Sequence, residues 1–151
     1  MSDIKFCKTF HFLSASLEKT MNNNLKKKDL SFSQGIVLLW LSKEDSLSLP
    51  IKIIEKRFRK AQPTTLGIIQ RLEQKQLIST YLSDHHKKIV TITKEGLLLI
   101  DFIEENIKQA DALIFQDFSK EQQLMFLELL GKAELNLLNY YGMDRGDYDE
   151  E

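Results

Sequence analysis

The sequence predicts a mainly α-helical chain with one small β-hairpin, a central lobe set between helices from the two ends of the chain. Three observations lead there. Apolar residues recur at helical spacing over most of the length. Both sides of a polar tip near Ser83 are rich in β-branched or aromatic residues, as in a hairpin. Both prolines, Pro50 and Pro63, stand where short helices would open.

Composition sets the frame for these elements. A chain of 151 residues, 42% hydrophobic and 28% charged, suits one soluble globular domain or two small lobes. No run approaches the roughly 18 apolar residues that span a bilayer. Met1 to Lys5 shows no signal-peptide pattern, and the lone Cys7 excludes an intrachain disulfide. The expected compartment is the cytoplasm. The net charge is −1, but it is unevenly spread. Pro50 to Lys94 holds ten Lys/Arg against three Asp/Glu, and the remainder eleven against nineteen. A basic segment on an acidic scaffold suits a polyanion-binding lobe, or else a solvated charged face on a helical protein.

Residues 4–21 read as a first helix, with Phe6, Phe10, Leu13 and Leu17 in one stripe. Asn22 to Asp29 reads as a loop. Ser31 and Gln34 have capping-box spacing and open a second helix carrying Ile36, Val37, Leu39, Trp40 and Leu41. Ser42 to Ser48 reads as a polar turn. Pro50 fits the first turn of a third helix with Ile51, Ile54 and Phe58 on its buried face. After an Arg59-Lys60-Ala61 turn, Pro63 opens a fourth helix with Thr65, Ile69 and Leu72 inward and Leu77-Ile78 at its close. Two short helices across a tight turn make a helix-turn-helix. The hairpin follows directly, as Ser79–Leu82 and Ile89–Thr93 around a Ser83–Lys88 tip, in the position of a wing. Lys94 to about Asp117 reads as one helix of roughly 36 Å. Ser119 and Gln122 form a second capping-box pattern, starting a last helix that ends at Gly142 before an acidic tail. The end segments carry more apolar surface than the central lobe can cover. Their expected partner is a second copy of the chain, the alternative being a compact monomeric bundle.

The residues that give this order a likeness are Leu30-Ser31-Phe32-Ser33-Gln34, Gln62-Pro63-Thr64-Thr65, Arg71 to Ile78, Asp84, and Thr91 to Gly96. In order and spacing they resemble the MarR family of bacterial transcription regulators, over about residues 4–141. The resemblance implies one MarR-like domain. Residues 4–30 and 97–141 would be dimerisation helices, 31–96 the winged helix-turn-helix lobe, and 142–151 a flexible acidic tail. It implies double-stranded DNA with a pseudo-palindromic operator as partner, a homodimer, a small-molecule inducer, and more often a repressor. No cofactor and no membrane contact are implied. This sequence departs from the family in three places. Gln76 replaces a usual glycine, and Ala61 replaces a Ser/Thr N-cap at a cost of roughly 0.5–2 kcal/mol. His86 stands where the family has a minor-groove arginine, and a neutral imidazole is the poorer ligand there.

The outward face of the fourth helix is expected to hold Gln62, Pro63, Thr64, Leu66, Gly67, Gln70 and Arg71. Gln pairs with adenine, Arg with guanine, and Leu with a thymine methyl. An internal ion pair for Arg71 and a core contact for Leu66 are the competing roles. Lys56, Arg57, Arg59, Lys60 and Lys75, with His85, His86, Lys87 and Lys88 in the wing, are candidates for phosphates. The wing histidines also read as a metal or pH-sensing pair, or as a solvated loop. Cys7 and His11 share a helix face and read as a buried core cysteine, a redox sensor or half a metal site. Phe10, His11, Trp40 and Phe102 are candidate lining residues for the inducer pocket that the resemblance places between the lobes. No phosphate loop, HExxH, CxxC or nucleophile elbow occurs, so no enzyme is expected. The rival reading is a winged-helix module that holds a protein partner and does not read DNA.

Overall fold

The structure, a computed structural model, describes residues 5–59 and 62–142. Helix α1 spans Phe6–Leu25, one turn beyond the expected end. The apolar stripe continues through Met21 and Leu25, which are 1% and 0% exposed, and their burial outweighs the poor helix propensity of the three asparagines. Asn22 also gains a role, because its Oδ1 accepts the Phe32 amide at 2.7 Å. A 3₁₀ turn, Lys26–Lys28, follows, and Asp29 leaves it left-handed at φ 54°.

The Ser31–Gln34 capping box forms, with both hydrogen bonds at 3.2 Å. It opens α2, Phe32–Lys43. Val37, Leu38 and Leu41 in α2 are fully buried, as befits a helix enclosed by the rest of the lobe. The expected polar turn then ends in a strand, β1 (Ser48–Pro50). Leu49 is buried, and Ser48 Oγ lies 2.6 Å from Thr91 Oγ1. Pro50 is the N-cap of α3, Ile51–Phe58, so it precedes the helix and does not sit inside its first turn. An edge strand tolerates the missing N–H.

Arg59 closes α3 in the left-handed region, and Lys60 and Ala61 lie outside the described residues. Helix α4 is Gln62–Gln74. Leu77 and Ile78, expected in its last turn, lie beyond it. Ile78 opens β2 (Ile78–Leu82), and β3 is Lys88–Ile92. The sheet order is β1-β3-β2, with both pairings antiparallel; Thr91 faces Ser48 on one side and Ser79 on the other. Gln76 turns the chain from helix to strand at φ 60°. A left-handed non-glycine residue costs about 1–2 kcal/mol. Gln76→Gly is therefore expected to stabilise the chain by about 1 kcal/mol, read as a higher urea midpoint. An unchanged midpoint would mean that the Gln76 side chain offsets its own strain.

The single long helix expected after the wing is broken in two. A short helix α5 (Lys94–Leu97) is separated from α6 (Ile100–Ile114) at Leu98 and Leu99. Competing tertiary demands explain the break. Thr93 caps α5 through its Oγ1, which accepts the Gly96 amide at 3.2 Å and donates to the Gln76 carbonyl at 2.8 Å. Gly96 is wedged against the wing, where a Cβ would lie 2.5 Å from the Leu77 carbonyl oxygen and 2.6 Å from Ile92 Cγ1. These contacts aim α5. The direction of α6 is set by Ile103, 1% exposed, which meets α2 at Gly35. At the joint the Leu99 amide bonds three residues back to Gly96.

The second capping box, Ser119–Gln122, also forms and opens α7, Lys120–Tyr140. Phe115, Phe118 and Phe126 pack edge-on at 5.3–5.9 Å and fix the α6–α7 corner. Of the 21 residues of α7, only Leu138 is buried. The expected acidic tail, Met143 to Glu151, lies outside the described residues. No helix among the described residues is long and apolar enough to cross a membrane.

Candidate nucleic-acid interface

Helix α4 has two distinct faces. Thr65, Ile69 and Leu72 are fully buried and Ile68 nearly so, which holds the helix on the core. Gln62, Pro63, Thr64, Gln70 and Arg71 are exposed on the other side. Leu66 is half-buried and packs on the core cluster, so its contact is the internal one. Gly67 lies beneath Arg71: a Cβ there would be 4.0 Å from Arg71 Nη2. The guanidinium thus lies back along the helix surface, and no hydrogen bond or ion pair ties it to another described residue. The internal salt bridge considered for Arg71 does not form among the described residues.

The flanking cations differ from one another. Lys56 is exposed. Arg57, grouped with it in the sequence, is turned inward with its side chain 11% exposed. It pairs with Glu44 at 3.4 Å and lies 5.7 Å from the Trp40 ring. Arg59 pairs with Glu134 at 3.0 Å, and Lys75 donates to the Asp29 carbonyl and to Gln34 Oε1. Each meets an acceptor from a distant segment, which the local sequence could not reveal. Lys60 lies outside the described residues.

The wing tip is a closed turn. His86 donates to the Ser83 carbonyl at 2.8 Å, and Ser83 donates to the Lys87 carbonyl at 2.9 Å. His86 adopts φ 57°, a conformation that histidine takes more readily than most residues. His85, His86 and Lys87 are exposed, and Lys88 is half-buried at the start of β3.

The four candidate pocket residues do not come together. Phe10 is exposed and stacks on Phe6 at 5.6 Å, and His11 is exposed beside Phe12. Phe102 is half-buried, with the Lys28 ammonium 5.9 Å from its ring. Trp40 alone of the four lines a cleft of about 350 Å³ between α1, α2 and α3. Its other walls include Leu17, Glu18, Phe32, Arg57 and Phe58, residues not picked out for this role. The apolar face of α3 signalled Phe58, but its edge-on contact with Trp40 at 4.9 Å depends on packing. Arg57 Nε is buried there without a partner. Cys7 is exposed in the single chain, so it is not part of that chain's own core. No cluster of three or more His, Cys, Asp or Glu suited to a metal occurs among the described residues.

No protein-family model matches the sequence. Solved structures do share its architecture. The Staphylococcus aureus MepR–DNA complex is similar at a TM-score of 0.81 and 20% identity, over 89% of this chain and 99% of that one. A crystal structure of MarR is similar at 0.80 and 18%, over 94% and 97%. Bordetella bronchiseptica BpsR, whose DNA binding is regulated by 6-hydroxynicotinic acid, is similar at 0.77 and 18%, over 87% and 94%. At such identities the likeness establishes architecture: this chain has the winged helix-turn-helix fold of the MarR-type regulators.

Proposed function

We propose that the chain is a sequence-specific, double-stranded-DNA-binding transcription regulator of the MarR type, a non-enzymatic repressor that works as a homodimer in the cytoplasm. One observation carries this reading. On a fold that MepR presents in a DNA complex, α4 offers a polar outward face on which Arg71 has no partner among the described residues, beside a wing tip bearing His85, His86, Lys87 and Lys88. Arg71 and Gln70 suit base edges, and Lys56 and the wing cations suit phosphates. Residues 31–96 form the DNA lobe in this reading, and 4–30 with 97–141 form the dimer lobe. The exposed Phe6, Phe10, Leu124, Leu127 and Leu137 are an apolar surface that a second copy would cover. A small ligand would enter the Trp40–Arg57 cleft and shift DNA affinity, a role supported by its place between the lobes. Selection of bound duplexes from a random pool tests the reading. A palindromic consensus is the expected result, and recovery of unselected sequence rejects it.

The wing offers a separate check. Arginine at position 86 would bring a fixed charge and a rigid fork of donors. His86→Arg is expected to tighten DNA binding and to steepen its log–log salt dependence by about one unit, read by anisotropy. Identical curves would place the wing tip off the DNA.

A further inference from the structure

Arg59 stands at the seam between the reading lobe and the last helix. Its amide donates to the Glu55 and Lys56 carbonyls at 3.2 and 3.1 Å, and its backbone is left-handed at φ 52°, so the end of α3 fixes where its side chain starts. Gln62, the first residue of α4, follows three residues later. Lys56, an exposed cation assigned above to phosphate, lies three residues earlier, on the same side of the helix end. In a helix-turn-helix the helix before the reading helix crosses the nucleic-acid backbone, so its last turn lies near phosphates. By position Arg59 belongs with Lys56.

Its guanidinium is turned elsewhere. Arg59 Nη2 donates to Glu134 Oε1 at 3.0 Å, across 75 residues of sequence. Glu134 sits on α7 one turn before Leu138, the buried residue of that helix, so both share the face that α7 turns toward its own chain. Both side chains of the pair are 37% exposed. An ion pair so open to water is weak and is screened by salt. A phosphate accepts from the same fork of donors as a carboxylate, and contact with a duplex also releases condensed counterions. Trading Glu134 for a phosphate therefore costs little and gains more.

We propose that Glu134 is a built-in competitor of the DNA backbone, a role that rests on the DNA-binding reading above. It holds Arg59 in the free chain and yields it to a phosphate in the complex. The exchange also unties the α3–α4 turn from α7, a helix of the proposed dimer lobe, so the two lobes are joined at this point only while DNA is absent.

Anisotropy of a labelled random-sequence duplex, titrated with the full chain over a range of salt, tests the exchange, because phosphate contacts form on every sequence. Arg59→Asn removes the cation and keeps a residue that tolerates the left-handed backbone. It is expected to flatten the log–log salt slope by about one unit for each protomer, and Arg59→Lys to preserve the slope. Glu134→Gln is expected to tighten binding about threefold for each protomer, the scale of one exposed ion pair, with the slope kept. On the Arg59→Asn background the same change is expected to do nothing. Equal tightening on both backgrounds would mean that Glu134 acts only as general negative charge, and would overturn the competition. So would a Glu134→Gln variant that binds no more tightly. An unaltered slope in Arg59→Asn would show that Arg59 never reaches a phosphate; Arg59→Gly serves in its place if the asparagine variant does not fold. Any of these results with the duplex still bound leaves the regulator reading standing, whereas a chain that binds no duplex overturns both.

Discussion

The double substitution Phe10→Glu with Leu137→Glu is expected to leave the chain folded but monomeric, and to reduce operator affinity at least ~100-fold. In the single chain both side chains are exposed, at 46% and 64%, so replacing them removes little internal packing. In the proposed dimer the same positions become buried, and each unpaired carboxylate taken from water there costs several kcal/mol. Two substitutions appear in each protomer, so the cost is counted four times. The affinity loss follows from valency. A bound half-site raises the effective concentration of the second lobe, and that advantage is about 10²–10⁴-fold. Sedimentation at micromolar concentration measures the first effect and operator titration the second. A double variant that stays dimeric would show that the apolar surface of α1 and α7 is not the interface.

Arg71→Ala is expected to relax base preference at one position of each half-site by about 1–3 kcal/mol, while binding to random DNA changes little. The guanidinium lies over Gly67, on the exposed face of α4, without an internal partner among the described residues. Its loss leaves the core unaltered, so thermal stability should not move. Lys56→Ala is the contrasting variant, because a phosphate contact is lost on every sequence alike and the salt slope flattens by about one unit. If the two variants behave identically on operator and random DNA, α4 does not read bases through Arg71.

What could be read from the sequence was what local interactions decide. Ser31 with Gln34, and Ser119 with Gln122, place both partners of a capping box within three residues, and both boxes form. The inward face of α4 followed from the spacing of Thr65, Ile69 and Leu72. The features that escaped depend on partners far along the chain. Strand β1 exists because Ser48 to Pro50 meet residues 89–91, and nothing in a stretch of serines announces that. The break at Leu98–Leu99 arises from Gly96 packing on the wing while Ile103 packs on α2, a conflict invisible to helix propensity. The candidate site divides in the same way. The exposed face of α4 was legible, whereas the ion pairs of Arg57, Arg59 and Lys75 were not, because Glu44, Glu134 and Asp29 reach them only in the fold.

The joint between α5 and α6 bears on operator length. Helix α6 has 15 residues and is thus about 22 Å long, and α5 is pinned to the wing by Gly96. In a dimer held through α6 and α7, a change of angle at Leu98–Leu99 would shift each reading lobe along the duplex, where the rise of one base pair is ~3.4 Å. With one joint in each protomer, the shifts of the two lobes add in their separation. In the proposed regulator, the number of base pairs between half-sites would then report the angle at Leu98 and Leu99. A ligand that fixes the angle would choose among operators by their spacer alone, and duplex pools that differ only in spacer length, compared with and without ligand, would reveal it.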